Sequence, residues 1–148
     1  GEEEVKANWE KIKLREGKKS VLEGVPASLP ALVKANRIQE KVAGVGFDWE
    51  APEQVLQKVR EELGELEEEV RKGHPDAVES ELGDVFFSLV NYARFLGVNP
   101  ENALERTNKK FIQRFRYLES SAGAAGKTLS EMSLAEMDQY WEAAKRQE

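Results

Sequence analysis

A chain of 148 residues is long enough for one domain with a real core, and 40% hydrophobic against 34% charged residues describes a soluble, charge-rich globular protein. Its 28 acidic and 22 basic residues give a formal charge of -6, which argues against binding a nucleic-acid polymer. With no cysteine, disulfides and thiolate-bound zinc are excluded. No apolar run approaches membrane-spanning length, so no membrane is expected, and the cytosol is the expected compartment.

Residues 1–24 are charged, with sparse apolar anchors at Val5, Trp9, Ile12 and Leu14, and read as a frayed helix followed by a loop. The chain starts with Gly and nothing in GEEEVKANWEKIK resembles a signal peptide, so a trimmed product of something longer is expected. Ser28 is the expected N-cap of a helix through LPALVKANRIQEKVA that stops near Gly44 and Gly46. GVGFDWEAP then reads as a loop whose Phe47 and Trp49 are expected to pack. Pro52 opens a helix of roughly 30 Å that ends at Gly73. Its apolar stripe is Val55, Val59, Leu63, Leu66 and Val70, with Lys58, Glu62, Glu65 and Glu69 beside it. The next helix starts near Pro75 and ends before Gly97. From Val85 to Leu96 it is apolar almost all round, which predicts a buried central helix. Its polar exceptions, Asp84, Ser88 and Asn91, continue the line from Glu81 and are expected to point inward.

Asn99 followed by Pro100 signals a further helix start, and that helix presents Leu104, Phe111, Phe115 and Leu118. SSAGAAGK reads as a small-residue linker. Ser133 and Glu136 form a capping box for a final helix carrying Tyr140 and Trp141. With no sustained period-two pattern, the predicted class is all-α, a compact antiparallel helical bundle.

Two pairs of carboxylates carry the chemistry. Glu62 with Glu65, and Glu81 with Asp84, are each three residues apart, so each pair shares one helix face. The Gly-His-Pro break between the two helices lets both pairs converge. Four such acids repel unless a hard cation neutralises them, and oxygen-only ligands suit Mg²⁺ or Mn²⁺. The bland alternative is a solvated acidic face, to which Glu67, Glu68 and Glu69 lend weight. The inward line that follows Asp84 tips the balance, because a buried polar group without a partner costs about 1–3 kcal/mol.

A basic stripe, Arg106, Lys110 and Arg114, would only solubilise a helix if it stood alone; beside a metal cluster it is what a phosphate substrate requires. Trp141 by default is a packing anchor. Its sharper reading is base stacking. His74 is the only histidine, so Glu-x-x-His di-iron pairs cannot be built. Neither a P-loop nor a Ser/His/Asp or Cys/His set is present.

E-E-x-x-E (Glu61, Glu62, Glu65) followed by E-x-x-D (Glu81, Asp84) resembles the signature of the MazG-type all-α nucleoside triphosphate pyrophosphohydrolases. Three flanking blocks extend the likeness over most of the chain: SLPALVKANRIQEKVAGVGFDW, GDVFFSLVNYARFLG and NKKFIQRF. The blocks resemble the C-terminal catalytic domain of MazG proteins, which implies residues 25–148 as that domain, with 1–24 a charged N-terminal segment or an interdomain connector. The resemblance implies hydrolysis of a nucleoside triphosphate to the monophosphate and pyrophosphate, with Mg²⁺ as cofactor, in a homodimer. It implies Glu62, Glu65, Glu81 and Asp84 as metal ligands, Lys58, Lys110 and Arg114 as triphosphate contacts, and Trp141 near the base. Asn91, at the end of the inward polar line, is a further expected substrate contact. Glu61 or Glu62 is the expected general base, and the sequence does not choose between them. Competing readings are a narrower relative, acting on dUTP, dCTP or phosphoribosyl-ATP, and a non-catalytic helical dimerisation module.

Overall fold

The computed structural model describes residues 1–15 and 19–148. They form six α-helices and one 3-10 turn, with no strand among the described residues. The helices are α1 (Glu2–Arg15), α2 (Ala31–Ala43), α3 (Pro52–Lys72), α4 (Pro75–Phe95), α5 (Pro100–Ala124) and α6 (Leu134–Arg146). The all-α class is as expected. Of the anchors anticipated in the first segment, the side chains of Ile12 and Leu14 lie outside those described, while Val5 and Trp9 are exposed. The chain divides into two compact units, residues 1–101 and 102–148.

In the first unit α3 and α4 pack along each other as an antiparallel hairpin. The turn works because Gly73 takes a left-handed φ of +74° and its N–H caps the carbonyls of Glu69 and Val70. Proline stands at the first position of both helices, where its missing N–H costs nothing. At the other end of α3, Gln54 Oε1 accepts from the N–H groups of Glu50 and Ala51, at 2.9 and 3.1 Å. Val55 and Val59 of α3 and Val85 and Val90 of α4 form the dry core. Helix α2 packs on α4.

Three local expectations are corrected. Ser28 does not cap α2; Pro30 holds the N-cap position, at φ -55° and ψ 143°, with no side-chain cap. Helix α4 is not buried all round. Val85, Ser88 and Val90 are buried, but Phe86, Leu89 and Leu96 are 44–55% exposed, because a helix packed by α2 and α3 hides only the faces those neighbours reach. SSAGAAGK is not a linker throughout. Its first residues continue α5, since serine and alanine tolerate the helix, and the chain turns only at Gly126, with φ +72°.

The second unit holds most of α5 together with α6. Phe111 lies 4.9 Å from Trp141 and 6.3 Å from Phe115 between ring centroids. Leu118, Ala122 and Ala144 are buried. The expected capping box is present: Ser133 Oγ accepts from the Glu136 N–H at 3.1 Å, and Glu136 Oε1 accepts from the Ser133 N–H at 3.4 Å.

Candidate metal centre

The α3–α4 hairpin brings Glu62, from α3, against Glu81 and Asp84, from α4. One oxygen from each of these three carboxylates lies within 4.8 Å of the others. Glu65, one turn beyond Glu62, is exposed and stands outside that group, although its charge acts on Glu81. Glu62 is the buried member, and its Oε1 accepts from Lys58 Nζ at 2.9 Å. Lys58 also reaches Glu61 Oε2 at 3.5 Å. Glu61 itself is exposed.

The electrostatics divide the two buried-edge glutamates. The hydrogen bond from Lys58 holds the Glu62 carboxyl below the usual carboxylate range, against the burial that opposes it, and Glu62 in turn raises Lys58. Among the described residues no such cation pairs with Glu81. Burial, then the charge of Glu65, the contact with Glu62 and the charge of Asp84 push it up to about 7. Glu62 Oε2 and Glu81 Oε2 are both buried without a hydrogen-bond partner. Orphaned acceptors on neighbouring acids are what a hard divalent cation satisfies, and an all-oxygen donor set suits Mg²⁺ or Mn²⁺ over thiolate-seeking metals. The residues present therefore fit such an ion.

Lys58, Glu62 and Asp84 also line a cavity of about 620 Å³ in the first unit. Its remaining wall includes Gln39 of α2, Phe47 and Trp49 of the α2–α3 loop, and Phe87 and Asn91 of α4. Phe47 and Trp49 do not pack away as expected: Phe47 is 79% and Trp49 40% exposed, and both line the cavity. The loop is pinned by Asp48, which accepts two hydrogen bonds from the Arg94 guanidinium at 2.7 and 2.9 Å, and both residues also line the cavity. Arg94 donates as well to Asn91 Oδ1 at 2.9 Å, which places Asn91 at the cavity with its carbonyl engaged.

Gln39, Asp48 and Arg94 were absent from the sequence reading. Gln39 had a usable signal: it is a polar residue on the apolar row Leu32, Ala35, Gln39, Val42 of α2. Asp48 and Arg94 are 46 residues apart and leave no local pattern.

Lys110, Arg114 and Trp141 all belong to the second unit. Lys110 is exposed. Arg114 grips the Glu148 carboxylate through Nε and Nη2 and lies 5.8 Å above the Trp141 ring; its guanidinium is raised by Glu148, whose carboxyl is lowered in return. Trp141 is half-buried against Phe111.

Residues 50–118 match the family model of the MazG nucleotide pyrophosphohydrolase domain. That stretch is a MazG-type domain. The matched stretch runs from the start of α3 well into α5 and contains all four acids of the predicted quartet with Lys58, Lys110 and Arg114. Among curated MazG relatives, the nucleoside triphosphate pyrophosphohydrolase/pyrophosphatase MazG of Thermotoga maritima is 45% identical over 140 residues, covering 93% of this chain and 54% of that protein. The nucleoside triphosphate pyrophosphohydrolase of Escherichia coli K12 is 42% identical over 151 residues, covering 98% and 57%. An uncharacterized protein of Bacillus subtilis, YabN, is 46% identical over 151 residues, covering 99% and 31%. The chain thus spans a little over half the length of the first two.

Proposed function

We propose that the chain is a Mg²⁺-dependent nucleoside triphosphate pyrophosphohydrolase, with Mn²⁺ as a working substitute. The observation that carries this reading is the Glu62–Glu81–Asp84 cluster, with two orphaned buried oxygens, opening beside Lys58 into a cavity large enough for a nucleotide. The names of the Thermotoga maritima and Escherichia coli relatives above support the same activity.

In the proposed reaction water attacks the α-phosphorus, the bond from that phosphorus to the bridging α–β oxygen breaks, and pyrophosphate leaves with the nucleoside monophosphate as the other product. Glu62, Glu65, Glu81 and Asp84 would hold the ion. When bound, the cation supplies positive charge that polarises phosphoryl oxygens and offsets the carboxylates. Lys58 is held at the cavity by Glu62 and donates to a phosphate oxygen, where charge develops as pyrophosphate departs. The proton of the attacking water would pass to Glu61 or Glu62; Glu62 is already engaged by Lys58 through Oε1 and assigned to the ion, which leaves Glu61 the freer of the two. Lys110 and Arg114 as triphosphate contacts and Trp141 as a neighbour of the base rest on the family resemblance alone, and Asn91 on its place in the cavity wall.

The rest of the assignment is proposed with it: a homodimer in the cytoplasm, residues 25–148 as the catalytic domain and 1–24 as a connector. Leu82, Phe86 and Leu89, at i, i+4 and i+7 on α4 and all more than 40% exposed, support the dimer, since one apolar stripe of that kind is what a second copy would cover. No helix of the described residues is long and apolar enough to cross a membrane. Incubation with a panel of NTPs and dNTPs plus Mg²⁺ tests the activity. Pyrophosphate with the monophosphate is expected; orthophosphate with the diphosphate would refute it.

A further inference from the structure

Arg94 makes more bonds than holding a loop requires. Its Nη1 and Nη2 donate to the two carboxylate oxygens of Asp48 at 2.9 and 2.7 Å, and Nη2 donates again to Asn91 Oδ1 at 2.9 Å. The pair is largely withdrawn from water, with 18% of the Arg94 side chain and 25% of the Asp48 side chain exposed. The approach is end-on, through both Nη atoms, and it leaves Nε buried with no partner. Arg114, by contrast, grips Glu148 through Nε and Nη2, an approach that leaves no such orphan. A buried donor without an acceptor costs free energy, and at Arg94 the third bond, to Asn91, offsets it.

What that bond does follows from the chemistry of the amide. With Oδ1 accepting from Arg94, the other end of the Asn91 side chain is an NH2 donor. Nδ2 donates to nothing among the described residues, and it is not one of the sealed orphaned atoms, so it keeps open surface. Asn91 and Arg94 both line the cavity, and Asn91 stands seven residues after Asp84 on α4, about 10 Å along the helix. Without Arg94 the amide is free to turn over and present its acceptor instead.

We propose that Arg94 is a positioning residue: one guanidinium holds the α2–α3 loop through Asp48 and locks the Asn91 amide with Nδ2 toward the cavity, where it donates to an acceptor oxygen of the bound ligand. That oxygen belongs to the phosphate chain or to the sugar of a nucleotide, a ligand class that rests on the nucleoside triphosphate reading of the adjoining acids. Lysine does not replace the device. Its single ammonium can pair with Asp48 but offers no planar fork to span both acceptors.

The test is calorimetric binding, in Mg²⁺, of α,β-methylene ATP and of inorganic tripolyphosphate, with a thermal melt of each protein alongside. Asn91→Ala leaves the Asp48–Arg94 pair in place and should weaken the nucleotide about ten-fold, the value of one hydrogen bond. Arg94→Lys should melt close to the parent yet bind as weakly as Asn91→Ala. Combining the two should weaken binding no further, because both remove the same donor. Parental affinity in Asn91→Ala would overturn the proposal, and that comparison leaves Arg94 untouched. Recovery of stability and affinity together in Arg94→Lys, as a purely structural clamp gives, would overturn it too. So would losses that multiply in the double variant, or failure of the unaltered chain to bind either ligand. Weakening of both ligands assigns the acceptor to the phosphate chain; adenine carries no oxygen, so weakening of the nucleotide alone assigns it to the sugar. Turnover separates this inference from the activity on which it builds. The expected binding losses in a chain that releases no pyrophosphate from ATP would remove the activity and leave the positioning standing. Pyrophosphate release with parental affinity in Asn91→Ala would do the reverse.

Discussion

Glu62→Gln is the most informative single perturbation of the site. Glu62 contributes an oxygen to the three-carboxylate group, and its Oε2 is buried with nothing to bond. Metal binding to the folded chain stabilises it through linkage: at free Mg²⁺ about 100 times the dissociation constant the gain is about 2.7 kcal/mol. For a chain of this length that raises the melting temperature by roughly 5–11 °C. Loss of a direct ligand should weaken binding at least as much as the ~100-fold seen when outer partners of metal ligands are lost. The same Mg²⁺ concentration would then give only about 0.4 kcal/mol, a rise of roughly 1–2 °C. The assay is a thermal melt of each protein with and without Mg²⁺, with chelator as baseline. A NaCl control at matched ionic strength removes the contribution of simple screening among the acids. A variant that keeps the full rise, or an unaltered chain that shows none beyond the salt control, would refute the reasoning.

Other outcomes follow from the same geometry. Glu81, pushed up to about 7 in the folded chain, favours folding when protonated, so its contribution is fully present below the ordinary carboxylate range and is lost as pH rises through about 7. In chelator, Glu81→Gln should therefore gain in melting temperature relative to the parent as pH rises from 5 to 8; a difference that stays flat would contradict this. Lys58→Met removes the donor beside Glu62 and should lower kcat/KM for ATP by about 10²-fold, as loss of one transition-state donor does, while the melt in chelator stays cooperative. Parental kcat/KM in that variant would dismiss Lys58 as a phosphate contact. Ser133→Ala should cost about 1 kcal/mol of stability by uncapping α6, measured by denaturant unfolding, and no change would mean the cap is not holding that helix.

How much the sequence disclosed depended on the range of each interaction. Pro52, Gly73 and Pro75 act on their own backbone, so the α3–α4 hairpin and its bounds were legible, as was the Ser133–Glu136 box. The acids were legible for the same reason. Spacings of three residues put Glu62 on one face and Glu81 with Asp84 on another, and the short turn did the rest. Glu65 shares that spacing and acts on Glu62 and Glu81, but it is more exposed than Glu62 and stands outside the group of three. Burial was overestimated on α4 because an apolar sequence states what a helix can hide, not how many neighbours arrive to hide it. The Asp48–Arg94 clamp and the Arg114–Glu148 pair join residues 46 and 34 apart, and no local pattern announces them. Pro30 displaced Ser28 as the cap of α2 through fixed backbone geometry rather than through a side-chain bond, which cap-residue preference does not anticipate.

Hydrolysis of ATP in ¹⁸O-labelled water, with Mg²⁺ present and products resolved by mass, probes the central claim most directly. Attack at the α-phosphorus puts the label in AMP and leaves pyrophosphate unlabelled. Label recovered in pyrophosphate or orthophosphate, with AMP unlabelled or absent, would contradict the account.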